Sequence, residues 1–190
     1  MKGGARVAWL AVALATAAPA AGAASFTLGE QAQAEALREG ERSIISESFG
    51  DEWRVVNGSG ESVSVLTPFH RLALAARHAA FRNEALTQQD RQRVLRDYRD
   101  RITLSVQLYG ARPDFARHLR PRLLAGDREI APALVQNEHT ARPDAGRFLA
   151  RCEYWFPTRD LKATAKLILI IANANGQPIA RFPIDLAEMR

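Results

Sequence analysis

The residues best placed to do chemistry are basic side chains gathered in one eleven-residue stretch: Arg112, Arg117, His118, Arg120 and Arg122. Only Asp114 opposes them there. In an extended strand alternate side chains share a face, so His118, Arg120 and Arg122 would form a basic stripe. Such a stripe can bind carboxylates or phosphates of an envelope protein, an anionic polymer or an anionic lipid surface. The alternative is a solvated edge strand whose charges prevent edge-to-edge pairing.

The histidines could serve catalysis only if folding assembles a site from distant residues. His70 and His78 are eight positions apart, which on one helix separates them by about 12 Å, too far for one metal ion. His118 and His139 stand alone in the sequence, and either could meet a serine or a carboxylate after folding. A small hydrolase with a non-local active site is therefore an alternative function.

Motifs for metal, cofactor or nucleophile chemistry are absent from the sequence. It contains no H-E-x-x-H, no paired C-x-x-C, no G-x-S-x-G and no glycine-rich loop between a strand and a helix. We therefore predict no metal site, no cofactor and no catalytic residue. Cys152 is the only cysteine, and its place in a strand among bulky apolar residues predicts a buried, unreactive thiol.

Residues 1–24 have the three parts of a secretory signal peptide. Lys2 and Arg6 supply the positive start, residues 7–18 are apolar, and small residues end at Ala23 and Ala24. The apolar run is shorter than the roughly 20 residues that span a bilayer. We predict cleavage near Ala23 or Ala24, a periplasmic or secreted protein, and no integral membrane span after cleavage. An uncleaved anchor is the alternative.

Composition suits one ordinary globular domain. The chain has 190 residues, of which 47% are hydrophobic and 25% charged, which argues against global disorder. Its net charge of +5 includes the two cations of the leader, so the remainder carries about +3. That modest charge does not indicate a nucleic-acid-binding protein.

Residues 25–100 read as mainly helical with one short hairpin. The first helix falls within residues 29–48, where Gly40 weakens the middle and one face is shared by Ala34, Leu37, Ile44 and Ile45. Residues 53–56 and 62–66 are short strand-like runs around a turn at residues 57–60.

Two capped helices are predicted next. Thr67 and Pro68 begin one helix, whose apolar stripe is Phe69, Leu72, Ala73, Ala76 and Ala80. Thr87, with Asp90 three residues later, begins another that runs to about Asp100 and buries Val94, Leu95 and Tyr98.

Residues 101–190 read as antiparallel strands. Polar and apolar residues alternate over 102–109, which indicates a half-buried strand. A turn at Gly126-Asp127 pairs Leu123 with Ile130 at a sheet edge, directing Leu119, Pro121 and Leu123 into the core. A short helix over residues 114–124 is the competing interpretation.

The last strands follow a polar loop at residues 136–146. Residues 148–156 and 166–173 are strongly β-prone. Asn175-Gly176 predicts a type I′ hairpin that pairs Leu169 with Phe182 and Leu167 with Ile184.

These patterns predict an α+β fold in which N-terminal helices pack on an antiparallel β-sandwich of immunoglobulin-like architecture, with residues 25–100 and 101–190 in one domain. We recognise no family in the sequence. The function that fits best is a non-enzymatic envelope or secreted module that binds another protein or an anionic polymer. The alternatives are the hydrolase and a carrier of an apolar ligand.

Overall fold

The computed structural model describes residues 24–159 and 161–190, so the predicted signal peptide lies outside the described residues except for Ala24. The helices are α1 (Glu30–Arg42), α2 (Pro68–Phe81) and α3 (Gln88–Asp97). The strands are β1 (Arg54–Val56), β2 (Ser62–Leu66), β3 (Arg101–Gly110), β4 (Arg120–Ala125), β5 (Arg128–Ile130), β6 (Leu134–Gln136), β7 (Arg142–Asp144), β8 (Arg147–Pro157), β9 (Lys166–Ala172) and β10 (Pro178–Asp185). Short 3₁₀ turns cover residues 43–45, 51–53 and 186–188.

The strands form two antiparallel sheets. In the large sheet the order is β1-β2-β3-β8-β6, and β7 also pairs with β8. In the small sheet the order is β10-β9-β4-β5. Helices together with two antiparallel sheets confirm the predicted α+β, sandwich-like fold class, and the immunoglobulin-like connectivity stays a prediction.

Alternation along the strands builds the core. The apolar residues of β3 predicted to share a face, Ile102, Leu104, Val106 and Leu108, are fully buried. Leu123, Leu169 and Phe182 of the small sheet belong to the same core cluster. Each such side chain stabilises the fold by about 1.5–3 kcal/mol relative to leaving it exposed. Phe69 and Leu72 of α2 join this cluster as well.

The hairpin between β9 and β10 has the predicted register but a different turn. Leu169 pairs with Phe182 and Leu167 with Ile184, as expected. The type I′ turn is wrong, because it needs a positive φ at both central residues, and of Asn175 and Gly176 only Gly176 has one, at 79°. The turn instead begins at Asn173, and a bulge near Pro178 restores the register.

The helix caps are as predicted, whereas the buried face of α1 is not. Thr67 and Thr87 accept hydrogen bonds from the amides of His70 and Asp90, each at 3.1 Å. In α1, however, Ala34 is exposed and Ile45, in the following 3₁₀ turn, is 93% exposed. The buried residues of α1 are Ala36 and Gly40, because this is the face that meets α2.

Gly40 lets the two helices approach closely. A Cβ at this position would lie 2.1 Å from the carbonyl oxygen of Ala73 in α2, a distance that no side chain tolerates. The glycine that weakens the isolated helix is therefore what permits its packing.

Three other sequence predictions need correction. The polar loop at residues 136–146 includes the end of β6 and all of β7, which both pair with β8. The alternative helix at 114–124 is wrong, because β4 starts at Arg120 and pairs with β9. The α3 helix ends at Asp97 and contains no fully buried residue, so Val94, Leu95 and Tyr98 are only half-buried.

Candidate binding surface on the small sheet

The structure places two of the three predicted binding residues on one face and leaves the third outside it. Arg120 and Arg122 lie on β4 and point away from the core, because Pro121 between them is buried. His118 is exposed in the turn before β4, so it does not continue the stripe along the strand. Leu123 pairs with Ile130, as the predicted hairpin requires.

The neighbouring strands turn this stripe into a two-dimensional surface. On the outer face of the small sheet, Arg122 lies opposite Ile170 of β9, which in turn lies opposite Arg181 of β10. Since adjacent strands are about 4.8 Å apart, the two arginines flank the isoleucine across roughly 10 Å of sheet.

A second row of the same face is apolar. Leu124 lies opposite Ile168, which lies opposite Pro183. Leu124, Ile168 and Ile170 are half-buried, and Pro183 is exposed. We call the whole surface the arginine-rimmed face; its residues are Arg120, Arg122, Leu124, Ile168, Ile170, Arg181 and Pro183.

Charge on the arginine-rimmed face is only partly neutralised. The Arg122 guanidinium donates to both carboxylate oxygens of Glu129, at 3.0 and 2.6 Å. That bidentate pair raises the pKa of Arg122 and lowers the pKa of Glu129. Arg120 and Arg181 are exposed, and neither forms an ion pair within the described residues. Two cations therefore remain available to a partner.

Sequence reasoning missed Arg181, Ile168 and Ile170 as members of the surface. The register of the last hairpin already implied that these three residues share the outward face of β9 and β10. The missing information was that β4 pairs with β9, a contact between segments more than forty residues apart in the chain.

The histidines do not assemble a catalytic site in the described part of the chain. His70 is 6% exposed, stacks on Trp53 at 4.3 Å, and places Nδ1 3.4 Å from the carbonyl oxygen of Val65. Burial lowers the pKa of His70 to about 4. The other three, His78, His118 and His139, are exposed. The hydrolase alternative gains no support from these positions.

Cys152 is buried, as predicted, on the core face of β8. Burial raises the pKa of its thiol, which disfavours the reactive thiolate. No group of metal-binding side chains occurs among residues 24–159 and 161–190.

An open cleft of about 400 Å³ lies beside the end of α1. Most of its lining is charged or carries a hydroxyl, and one aromatic ring is present: Glu39, Arg42, Asp51, Glu52, Ser43, Ser46, Ser48 and Phe49. Burial raises the pKa of Glu52. Carboxylates and hydroxyls do not suit an apolar ligand, so this cleft gives the carrier alternative no support.

Comparisons with known proteins leave the family open. No family model and no curated protein matches the chain. The chain is similar to the solved structure of a novel protein of unknown function from Burkholderia pseudomallei K96243. The two share 15% identity over 85% of this chain and 92% of the other, with a TM-score of 0.44. Within the described residues no helix is both long and apolar enough to cross a bilayer.

Proposed function

We propose that this protein is an exported, non-enzymatic module whose arginine-rimmed face docks an acidic protein of the envelope or the extracellular space. The observation that carries the proposal is the row in which Ile170, half-buried, lies between Arg122 and Arg181 on an outward sheet face. An apolar centre within a rim containing arginine is the usual anatomy of a protein interface.

The apolar centre favours a protein partner over an anionic polymer. A polyanion would use the arginines but would gain nothing from Leu124, Ile168 and Ile170. A protein with its own apolar patch, bordered by carboxylates, would bury all three and pair with Arg120 and Arg181. Export is supported by the predicted signal peptide in residues 1–24.

The test places a photo-crosslinking amino acid at Pro183, on the surface, and in a matched variant at Arg142 on β7. Crosslinking is carried out in the native host, and the joined peptides are identified by mass spectrometry. We expect one recurrent partner at position 183, joined through a segment rich in Asp and Glu, and none of it at position 142.

The affinity is then measured between the purified partner and the purified protein. Arg120→Glu with Arg181→Glu should weaken binding at least about tenfold, because like charges would face each other; Ile170→Asp should do the same by placing a charge in the apolar centre. Arg38→Glu with Arg142→Glu makes the same charge change elsewhere and should leave the affinity unchanged. Equal affinities for all these variants would overturn the proposal, as would equal crosslinking at both positions.

A further inference from the structure

Three buried polar side-chain atoms of the described residues lack a hydrogen-bond partner. In the described residues these side-chain atoms are Arg71 Nε, Arg101 Nε and Thr103 Oγ1. Buried polar groups in folded proteins are nearly always satisfied, so each exception calls for an explanation. Arg71 and Arg101 contact the same ring, Tyr98, and Thr103 lies two residues from Arg101 on β3.

The cluster is built from helix and sheet on the outer side of the large sheet, away from the arginine-rimmed face. Arg101 and Thr103 share the outward face of β3, because Ile102 between them lies in the core. Thr103 pairs with Trp155 of β8 and with Leu66 of β2. Its side chain is 0% exposed.

Aromatic rings hold the two guanidinium groups in place. Arg101 stacks on Trp155 with its guanidinium carbon 3.7 Å from the ring centre. The Tyr98 ring, just after α3, lies 5.2 Å from the guanidinium carbon of Arg101 and 4.7 Å from that of Arg71. Both cations are therefore gathered around one ring, which fixes their positions without using their N–H donors.

Charged side chains of both signs surround this cluster. Neither Arg71 nor Arg101 forms an ion pair in the described part of the chain. The carboxylates of Glu153 and Asp97 act on Tyr98 together with the guanidinium groups of Arg71 and Arg101. Glu153 accepts the indole N–H of Trp155 at 2.6 Å, and Asp97 lies 3.7 Å from the guanidinium of Arg96.

We propose that Arg71, Arg101 and Thr103 form a binding site for an oxyanion, the carboxylate or phosphate group of a small ligand. Guanidinium N–H groups and a hydroxyl are donors, and both kinds of oxyanion supply acceptor oxygens and a negative charge. This site is independent of the proposed docking function.

The test titrates the purified protein with sodium phosphate and, separately, with sodium acetate, against sodium chloride at equal ionic strength. Calorimetry measures binding, and the midpoint of thermal unfolding measures ligand-induced stabilisation. We expect saturable binding of at least one of the two oxyanions. If phosphate binds more tightly than acetate, the ligand group is a phosphate. If acetate binds more tightly, it is a carboxylate.

Variants connect the binding to these residues. Arg101→Gln should weaken it at least about tenfold, since a charge-assisted hydrogen bond is lost. Thr103→Val should also weaken it, while raising the unfolding midpoint of the free protein, because an unsatisfied buried hydroxyl is removed. Arg99→Gln changes an exposed neighbour and should bind like wild type.

Two results would overturn the site: no saturable binding of either oxyanion by the wild type, or unchanged affinity in both Arg101→Gln and Thr103→Val. Thr103→Val is nearly isosteric, so it keeps the test valid even if Arg101→Gln does not fold.

Discussion

At the scale of single residues, His70 shows how packing decides what an ionisable side chain can do. Its ring stacks on the buried ring of Trp53, and the half-buried ring of Phe49 lies 6.0 Å away. Protonation would place a charge there, so burial holds the pKa of His70 near 4. The histidine is thus part of the packing at neutral pH, not a general base.

This lowered pKa predicts a loss of stability in acid. Between about pH 6.5 and pH 4 the unfolded chain protonates His70 and the folded protein does not, so the free energy of unfolding should fall by up to about 3 kcal/mol as the pH falls through that range. Urea unfolding at pH 7.0 and 4.5 measures the fall. In His70→Gln the free energy of unfolding should fall much less over the same pH interval. In His78→Gln, a change at an exposed position, it should fall as much as in wild type. An equal fall of the free energy of unfolding in His70→Gln and in wild type would contradict the attribution of the pH dependence to His70.

Residue-level prediction succeeded where local pattern decides the outcome. The outward position of Arg120 and Arg122 followed from alternation along one strand. The role of Gly40 did not, because its reason is a carbonyl oxygen of α2, thirty-three residues further along the chain. Arg181 was missed for the same reason: its neighbours on the surface come from β9 and, beyond it, β4.

At the scale of elements, two hairpin loops share one design. In the loop after β1, Asn57 Oδ1 accepts from the amides of Ser59 and Glu61. In the loop after β9, Asn173 Oδ1 accepts in the same way from Asn175 and Gln177, both at 3.0 Å. Each loop closes with a glycine at positive φ, 82° for Gly60 and 79° for Gly176. The common pattern is N-x-x-G followed by Glu or Gln.

This design predicts which asparagine of the β9–β10 loop contributes more to the stability of the protein. Asn173→Ala removes an acceptor used by two amides and should cost about 1–2 kcal/mol of stability. Asn175→Ala should cost much less, since the Asn175 side chain makes no hydrogen bond in the described residues. Chemical denaturation measures the loss of stability in both variants, with Asn173→Asp as the conservative control. A larger loss for Asn175→Ala would favour the type I′ turn instead.

Elements formed by neighbouring residues were predictable, and pairings between distant segments were not. Caps at Thr67 and Thr87 and the last hairpin depend on contacts within a few residues. The strand β7 and the end of β6 lie in the segment predicted as a polar loop, because both strands form by pairing with β8.

At the scale of the whole molecule, the residue at the predicted cleavage site, Ala24, packs against the C-terminal part of the chain. Ala24 is 1% exposed, and its amide nitrogen donates to the carbonyl oxygen of Leu186 at 2.9 Å. Of the two predicted cuts, cleavage after Ala23 keeps this residue and cleavage after Ala24 removes it. We therefore expect protein purified from the periplasm or the medium of its host to begin at Ala24.

N-terminal sequencing of that material provides the measurement. A start at Ser25 would show that the contact of Ala24 with Leu186 is dispensable. A start at Met1 in cytosolic material would contradict export altogether.

The arginine-rimmed face joins β4 to two strands that the ribosome makes much later. In its central row, Arg122 belongs to β4, Ile170 to β9 and Arg181 to β10. An incomplete or misfolded chain would display scattered arginines and no row. The docking proposed for this row therefore depends on the folded protein, because only folding brings the three residues side by side.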